Sequence, residues 1–260
     1  VLFNKEKTEL LQAPGAISSK YTIPSSVKSV GDYSFAYCIN LTDVVIPNGV
    51  TSIGKSAFDC CNSLTGVVIP ESVTMIGNQA FWRCENLHSV TIPDSVTNVG
   101  VQAFEFTGCY FDENNWHDGV FYLGHWLLSI NNELPAAYKI LNGTVGIANH
   151  AFFGCDTLIS ISIPDGVKTI GDWAFYRCDN LTGIIIPNSV TSIGGKAFEN
   201  CSGLTNVTIG NGMKSIGDDA FRDCINLTSV FYFGDAPEIG KGVFQTKDWA
   251  TYEDINIPNL

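Results

Sequence analysis

Cysteine is the residue type here with the most obvious capacity for chemistry. Of nine cysteines, seven stand in one column: Cys38, Cys61, Cys84, Cys155, Cys178, Cys201 and Cys224. Thr107 takes the equivalent place between the third and fourth, with Cys109 just beyond it. Three readings compete. Inward thiols would act as small apolar core residues. Disulfides between successive positions would need Cβ atoms closer than neighbouring parallel side chains hold them. A zinc site would need a Cys-x-x-Cys with a companion pair, which this spacing lacks. The core-thiol reading fits best. Cys60, which precedes the column, is expected to point outward and to be the most reactive thiol.

The histidines are His88, His117, His125 and His150, and three fall in or near one stretch that also carries Asp112, Glu113 and Asp118. Their spacing matches neither H-E-x-x-H nor any comparable acid–base arrangement, and exposed loop positions are the expectation. Asp112-Glu113-Asn114-Asn115 has oxygens enough for calcium but not the EF-hand order, so it reads as a solvated turn. Neither a nucleophile elbow nor a phosphate or dinucleotide fingerprint occurs. The expectation is no catalytic, cofactor or metal site.

Recognition chemistry is better represented. A recurring phenylalanine is followed by varied pairs: Ala36-Tyr37, Trp82-Arg83, Phe153-Gly154, Tyr176-Arg177 and Arg222-Asp223, with Trp173 close by. A second aromatic stretch holds Tyr110, Phe111, Trp116, Phe121, Tyr122 and Trp126. Aromatic and arginine side chains anchor protein partners, and rings stack on sugars. The candidate ligand-binding residues are therefore Tyr37, Trp82, Arg83, Trp116, Tyr122, Trp126, Trp173, Tyr176 and Arg177. The competing reading is that these side chains snorkel over the core edge.

The elements that must position them are repeats. Ile-Pro recurs at Ile23-Pro24, Ile46-Pro47, Ile69-Pro70 and Ile92-Pro93, 23 residues apart, and again at Ile163-Pro164 and Ile186-Pro187. Gly31, Gly54, Gly77, Gly100, Gly171, Gly194, Gly217 and Gly240 keep the same beat, as do Phe35, Phe58, Phe81, Phe104, Phe152, Phe175, Phe198, Phe221 and Phe244. Within a unit, Leu64 to Ile69 alternates as a short strand, and Pro70 ends it by removing a ladder donor. Val73 and Ile76 begin a second extended piece, and Gly77 is expected to allow a bend. Ala80-Phe81 then drops a ring inward from a short helical turn. One unit cannot bury its apolar face, whereas stacked units cover one another.

From Leu10 onward the chain also superposes on itself at an offset of 117, so that Tyr21 meets Tyr138 and Phe35 meets Phe152. The predicted organisation is one mostly β, leucine-rich-repeat-type right-handed solenoid. It comprises an N-terminal hairpin over 1–20, a first block over 21–109, a hairpin interruption over 110–137, a second block over 138–229 and a C-terminal partial repeat and cap over 230–260. The strand positions facing away from the core, Val45, Val68, Thr91, Ser162, Ile185 and Thr208, are small and nearly uncharged, which suits packing better than anchoring.

The formal net charge of −12 disfavours nucleic acid and anionic membrane surfaces. Apolar runs fall short of the roughly 20 residues of a membrane span. The start, Val1-Leu2-Phe3-Asn4-Lys5-Glu6, reads as that of a processed or excised piece.

The unit Ile186-Pro187-Asn188-Ser189-Val190-Thr191-Ser192-Ile193-Gly194, followed by Ala197-Phe198 and Cys201, resembles the BspA-like leucine-rich repeat family of cell-surface proteins. That family is common in host-associated anaerobic bacteria and some parasitic protists. The resemblance covers nearly the whole chain and implies a solenoid displayed outside the cell that adheres to host extracellular-matrix proteins or to other cells. It implies no catalytic residues, and a mostly reduced cysteine set would suit an anaerobic habitat. The expected function is a surface adhesin. A glycan-binding module using exposed aromatics and a structural spacer are the alternatives.

Overall fold

The computed structural model describes residues 1–17, 19–131, 134–248 and 253–256. They form two compact units, one of Val1–His117 with Phe121–Leu128 and one of Asp118–Val120 with Ser129–Leu260.

In the first unit the segment before the repeats is a hairpin, Leu2–Phe3 antiparallel to Glu9–Gln12. Glu9–Gln12 then opens a parallel ladder through Ser29–Val30, Ser52–Ile53, Met75–Ile76 and Asn98–Val99. The other strand of each unit pairs likewise, Ser19–Thr22 with Leu41–Val45 and Gly66–Val68 with Ser89–Thr91. Along Gly66–Val68 the central Val67 is buried and Val68 exposed, as the alternation requires. The interruption contains the adjacent strands Val120–Leu123 and Trp126–Ile130, joined at Gly124, whose φ of 58° a glycine adopts without strain.

The second unit repeats the scheme. Ala137–Lys139 pairs with Ser160–Ser162, and Gly183–Ile186, Asn206–Ile209 and Ser229–Tyr232 form a three-stranded parallel sheet. The second ladder runs from Gly146–Ile147 through Thr169–Ile170, Ser192–Ile193 and Ser215–Ile216 to Glu238–Ile239. The segment around Phe231 thus keeps both ladders for one more turn. It is followed by the antiparallel pair Gln245–Asp248 and Glu253–Asn256. The end of the expected cap, 257–260, lies outside the described residues.

On the third side the structure differs from the expected helical turn. Two tight turns follow Gly77: Ala80 N–H donates to the Gly77 carbonyl and Cys84 N–H to that of Phe81, both at 3.2 Å. Gln79 and Arg83 take left-handed φ values of 57° and 55°. Each such residue costs roughly 1–2 kcal/mol relative to ordinary backbone. The compensation is lateral. The N–H groups of Gln79, Phe81 and Arg83 donate to the carbonyls of Val101, Ala103 and Glu105 at 2.8, 2.8 and 3.1 Å. A helix would turn those donors along its own axis, so the inter-repeat ladder wins. Helical residues among those described are Gly108–Phe111, at the end of the first block and start of the interruption, and the 3-10 turn Glu113–Asn115.

Between these sides lies the core. Phe35, Phe58, Phe81 and Phe104 stack with centroids 4.9, 5.0 and 5.2 Å apart. Phe152, Phe175, Phe198 and Phe221 do the same in the second unit at 4.8 to 4.9 Å, matching the strand spacing. The cysteine column is buried beside them as free thiols. The Cys61, Cys84, Cys178, Cys201 and Cys224 thiols each donate to a phenylalanine carbonyl of the preceding repeat at 3.0 to 3.2 Å. Thr107 fills the column where the cysteine is missing, donating to the Phe104 carbonyl at 2.7 Å and capping Gly108–Phe111.

Candidate functional site

The doubly turned side carries the varied residues. With the backbone held by the lateral ladder, the side chains at Gln79, Trp82 and Arg83 and their equivalents can vary without disturbing the core. Tyr37, Arg83, Trp173 and Arg177 are themselves left-handed residues of these turns.

The first unit gathers an aromatic group. The Arg83 guanidinium lies 4.3 Å from the Trp82 ring centroid and 6.0 Å from that of Phe106. Trp82 meets Phe106 edge-on at 5.9 Å, and Phe106 touches Tyr110 and Phe111. Tyr110 continues to Trp116, whose indole N–H donates to the Tyr110 carbonyl at 2.7 Å. Burial and then the charge of Glu105 push the Tyr110 hydroxyl above its usual pKa. Phe111 is 62% exposed, the most open ring of the group.

A separate group occupies the second unit. His150 stacks on Phe153 at 4.8 Å, Phe153 stacks on Tyr176 at 4.9 Å, and Trp173 leans on His150 at 5.3 Å. Arg177 lies 5.6 Å from the Tyr176 centroid. Burial lowers the His150 pKa, against the pull of Asp172.

Of the candidates read from the sequence, Trp82, Arg83 and Trp116 fall in the first group and Trp173, Tyr176 and Arg177 in the second. Tyr37, 64% exposed, stands apart from both. Tyr122 and Trp126 are corrections: at 6% and 1% exposed they are core residues of the interruption, and their rings are closed to a ligand. The strand Val120–Leu123 is buried along its whole length, so alternation does not separate a wet face there. The sequence reading passed over Phe106 and His150. Phe106 lies 23 residues after Arg83 and could have been found from that offset.

The remaining chemistry is sparse. Among the described residues no three or more His, Cys, Asp or Glu side chains converge as for a metal. His125 meets Asp94 at 3.1 Å with both side chains well exposed, a pair that solvent screens. His88 covers Gly108, where an added Cβ would lie 2.4 Å from the imidazole. Asp112 accepts from the Asn114 backbone and side chain at 3.0 and 2.8 Å, a turn cap. Shallow recesses on the strand faces, about 520 Å³ over Gly66 and about 600 Å³ over Gly183, have neither aromatic nor arginine linings.

Cys60 is half-buried, and burial followed by its hydrogen bond to Asp59 raises its pKa to about 11. Cys60 is the one cysteine that is not buried, but its raised pKa keeps it mostly protonated near neutrality, and the thiolate is the nucleophile. Iodoacetamide labelling of Cys60 in the folded protein should therefore be slow near neutrality. It should rise about tenfold per pH unit up to the pKa. A rate that levels off by pH 9, followed by peptide mass spectrometry, would contradict the raised value.

A family model for the BspA type leucine rich repeat region matches residues 16–134 and 136–251, in six copies. The chain belongs to the BspA-type leucine-rich repeat family. Among solved structures, a leucine rich cell surface protein from Faecalibacterium prausnitzii is 26% identical over 84% of this chain and 60% of its own, with a TM-score of 0.41. A leucine-rich repeat protein from Bacteroides ovatus is 25% identical over 87% and 63%, with a TM-score of 0.36. The pneumococcal vaccine antigen PcpA is 19% identical over 81% and 73%, with a TM-score of 0.36. This BspA-type chain thus spans about three fifths of the first two proteins. No curated protein sequence matches it. Among the described residues no helix is long and apolar enough to cross a membrane.

Proposed function

We propose that this BspA-type chain is an extracellular, non-catalytic recognition module, a surface adhesin that binds a protein of the host matrix or of another cell. The observation that carries this reading is the pairing of arginine with clustered aromatics on the doubly turned side of each unit. Arginine, tryptophan and tyrosine dominate binding hot spots because they bury large area with few rotors and keep polar contacts. A glycan-binding role is weaker. Of the tryptophan and tyrosine candidates for sugar stacking, Trp126 and Tyr122 are interior and Arg83 sits over Trp82, while Tyr37 stands open but apart from both aromatic groups.

The test is binding of the purified chain to a panel of immobilised matrix proteins, cell-surface proteins and glycans at low and moderate salt. Saturable binding to a protein, weakened by salt as the −12 charge suggests, supports the adhesin. In that case Arg177→Ala or Arg83→Ala should weaken it about tenfold. Binding to glycans alone, indifferent to salt, would replace it with the carbohydrate reading, and silence across the panel would favour a spacer.

A further inference from the structure

The two aromatic groups differ in their charge setting. In the second unit Lys196 and Arg222 are matched by Glu199, Asp219 and Asp223 at 3.1 to 3.8 Å, so charge is compensated internally. The first unit is different. Between Arg83 and Lys139 the sequence contains neither lysine nor arginine, yet Glu85, Glu105, Asp112 and Glu113 fall in that interval. Asp112 and Glu113 follow Phe111 directly, are exposed, and form no ion pair among the described residues. The local cation, Arg83, is spread over Trp82 and Phe106. The open Phe111 ring is thus followed directly in the chain by two exposed carboxylates, Asp112 and Glu113, without an ion-pair partner among the described residues.

We propose that the Phe106–Phe111 patch of the first unit docks a basic polypeptide segment, whose apolar side chains cover the rings while its lysines and arginines meet Asp112 and Glu113. The inference rests on the recognition reading and adds the partner's chemistry and its place. A partner without cations would desolvate these carboxylates with nothing in return, and an acidic one would be repelled. A cation over the exposed Phe111 face gains from the ring quadrupole as well.

Fluorescence anisotropy with a labelled peptide alternating arginine and leucine, against its glutamate–leucine counterpart, tests this on the whole chain. The basic peptide should bind and the acidic one should not. Phe111→Ala should weaken binding about tenfold. The double change Asp112→Asn with Glu113→Gln should weaken it and flatten its salt dependence. Asparagine still caps the turn at 112, so folding is kept, and an unchanged thermal melt verifies this for each variant. Phe153→Ala in the second unit should have no effect. Equal binding of both peptides, or of neither, overturns the proposal. So does loss with Phe153→Ala but not with Phe111→Ala, a result that leaves the adhesin reading standing. That reading falls only with the protein panel.

Discussion

Phe198→Ala is expected to remove about 3–5 kcal/mol of stability, a large share of what a domain of this kind has. The ring is fully buried between Phe175 and Phe221, with both centroids 4.9 Å away and planes within 4°. Its neighbours cannot close the gap. The Phe198 N–H is tied to the Ala220 carbonyl at 2.7 Å, and the Phe175 N–H to that of Ala197 at 2.7 Å, so the repeat spacing is set by backbone. A cavity therefore persists, and its cost adds to the lost transfer energy. Because repeats couple to nearest neighbours, the damage should also separate the layers on either side. Urea unfolding followed by circular dichroism should show a lower midpoint and a broader or divided transition. Phe198→Leu, which refills most of the space, should cost roughly 1 kcal/mol. A loss below about 1 kcal/mol for the alanine variant would mean the stack is not a rigid column.

Gly77→Ala should cost about 3 kcal/mol, the upper end of what overpacking does. The added Cβ would lie 2.6 Å from the carbonyl carbon of Gly54 and 2.6 Å from the amide nitrogen of Lys55. Both are backbone atoms of the preceding repeat, and no rotamer relieves the clash. Gly100 and Gly54 meet the repeats before them in the same way. This changes the physical account of the glycine column. Freedom to bend was the expectation, but these glycines are not left-handed and are required by close approach. The left-handed positions are instead occupied by tyrosine, glutamine, arginine and tryptophan. Gly66→Ala is the control. The nearest atom to its new Cβ is 3.5 Å away, and losing glycine entropy from the unfolded chain should leave stability unchanged or raise it by about 0.4–1 kcal/mol. If thermal melts of the Gly77 and Gly66 variants coincide, the close approach is wrong.

Much of this architecture is legible in the residues because a repeat states the same requirement many times. Ile-Pro, the glycine, the phenylalanine and the cysteine each recur at 23, so the period reveals stacking without any long-range contact being known. Alternation in Leu64 to Ile69 identifies the strand face, and the shared column makes Cys61, Cys84 and Cys201 inward thiols rather than bridges. The aromatic–arginine pairs are legible too, since they vary where everything around them repeats.

What periodicity could not decide is geometry across repeats. Whether Ala80-Phe81 turns as a helix or as paired tight turns depends on where the N–H groups find acceptors, and those lie in the next repeat at Val101 and Ala103. The interruption breaks the period, so Trp126 and Tyr122 looked as available as Trp116 and Phe111. Only packing sorted them, burying the first two and leaving Phe111 open. Sequence alone determined that this chain is a stacked repeat whose aromatic–arginine pairs vary where the rest of the unit repeats. Tertiary structure decided which rings remain in solvent, because exposure is set by what each residue packs against and not by its type or its place in the period.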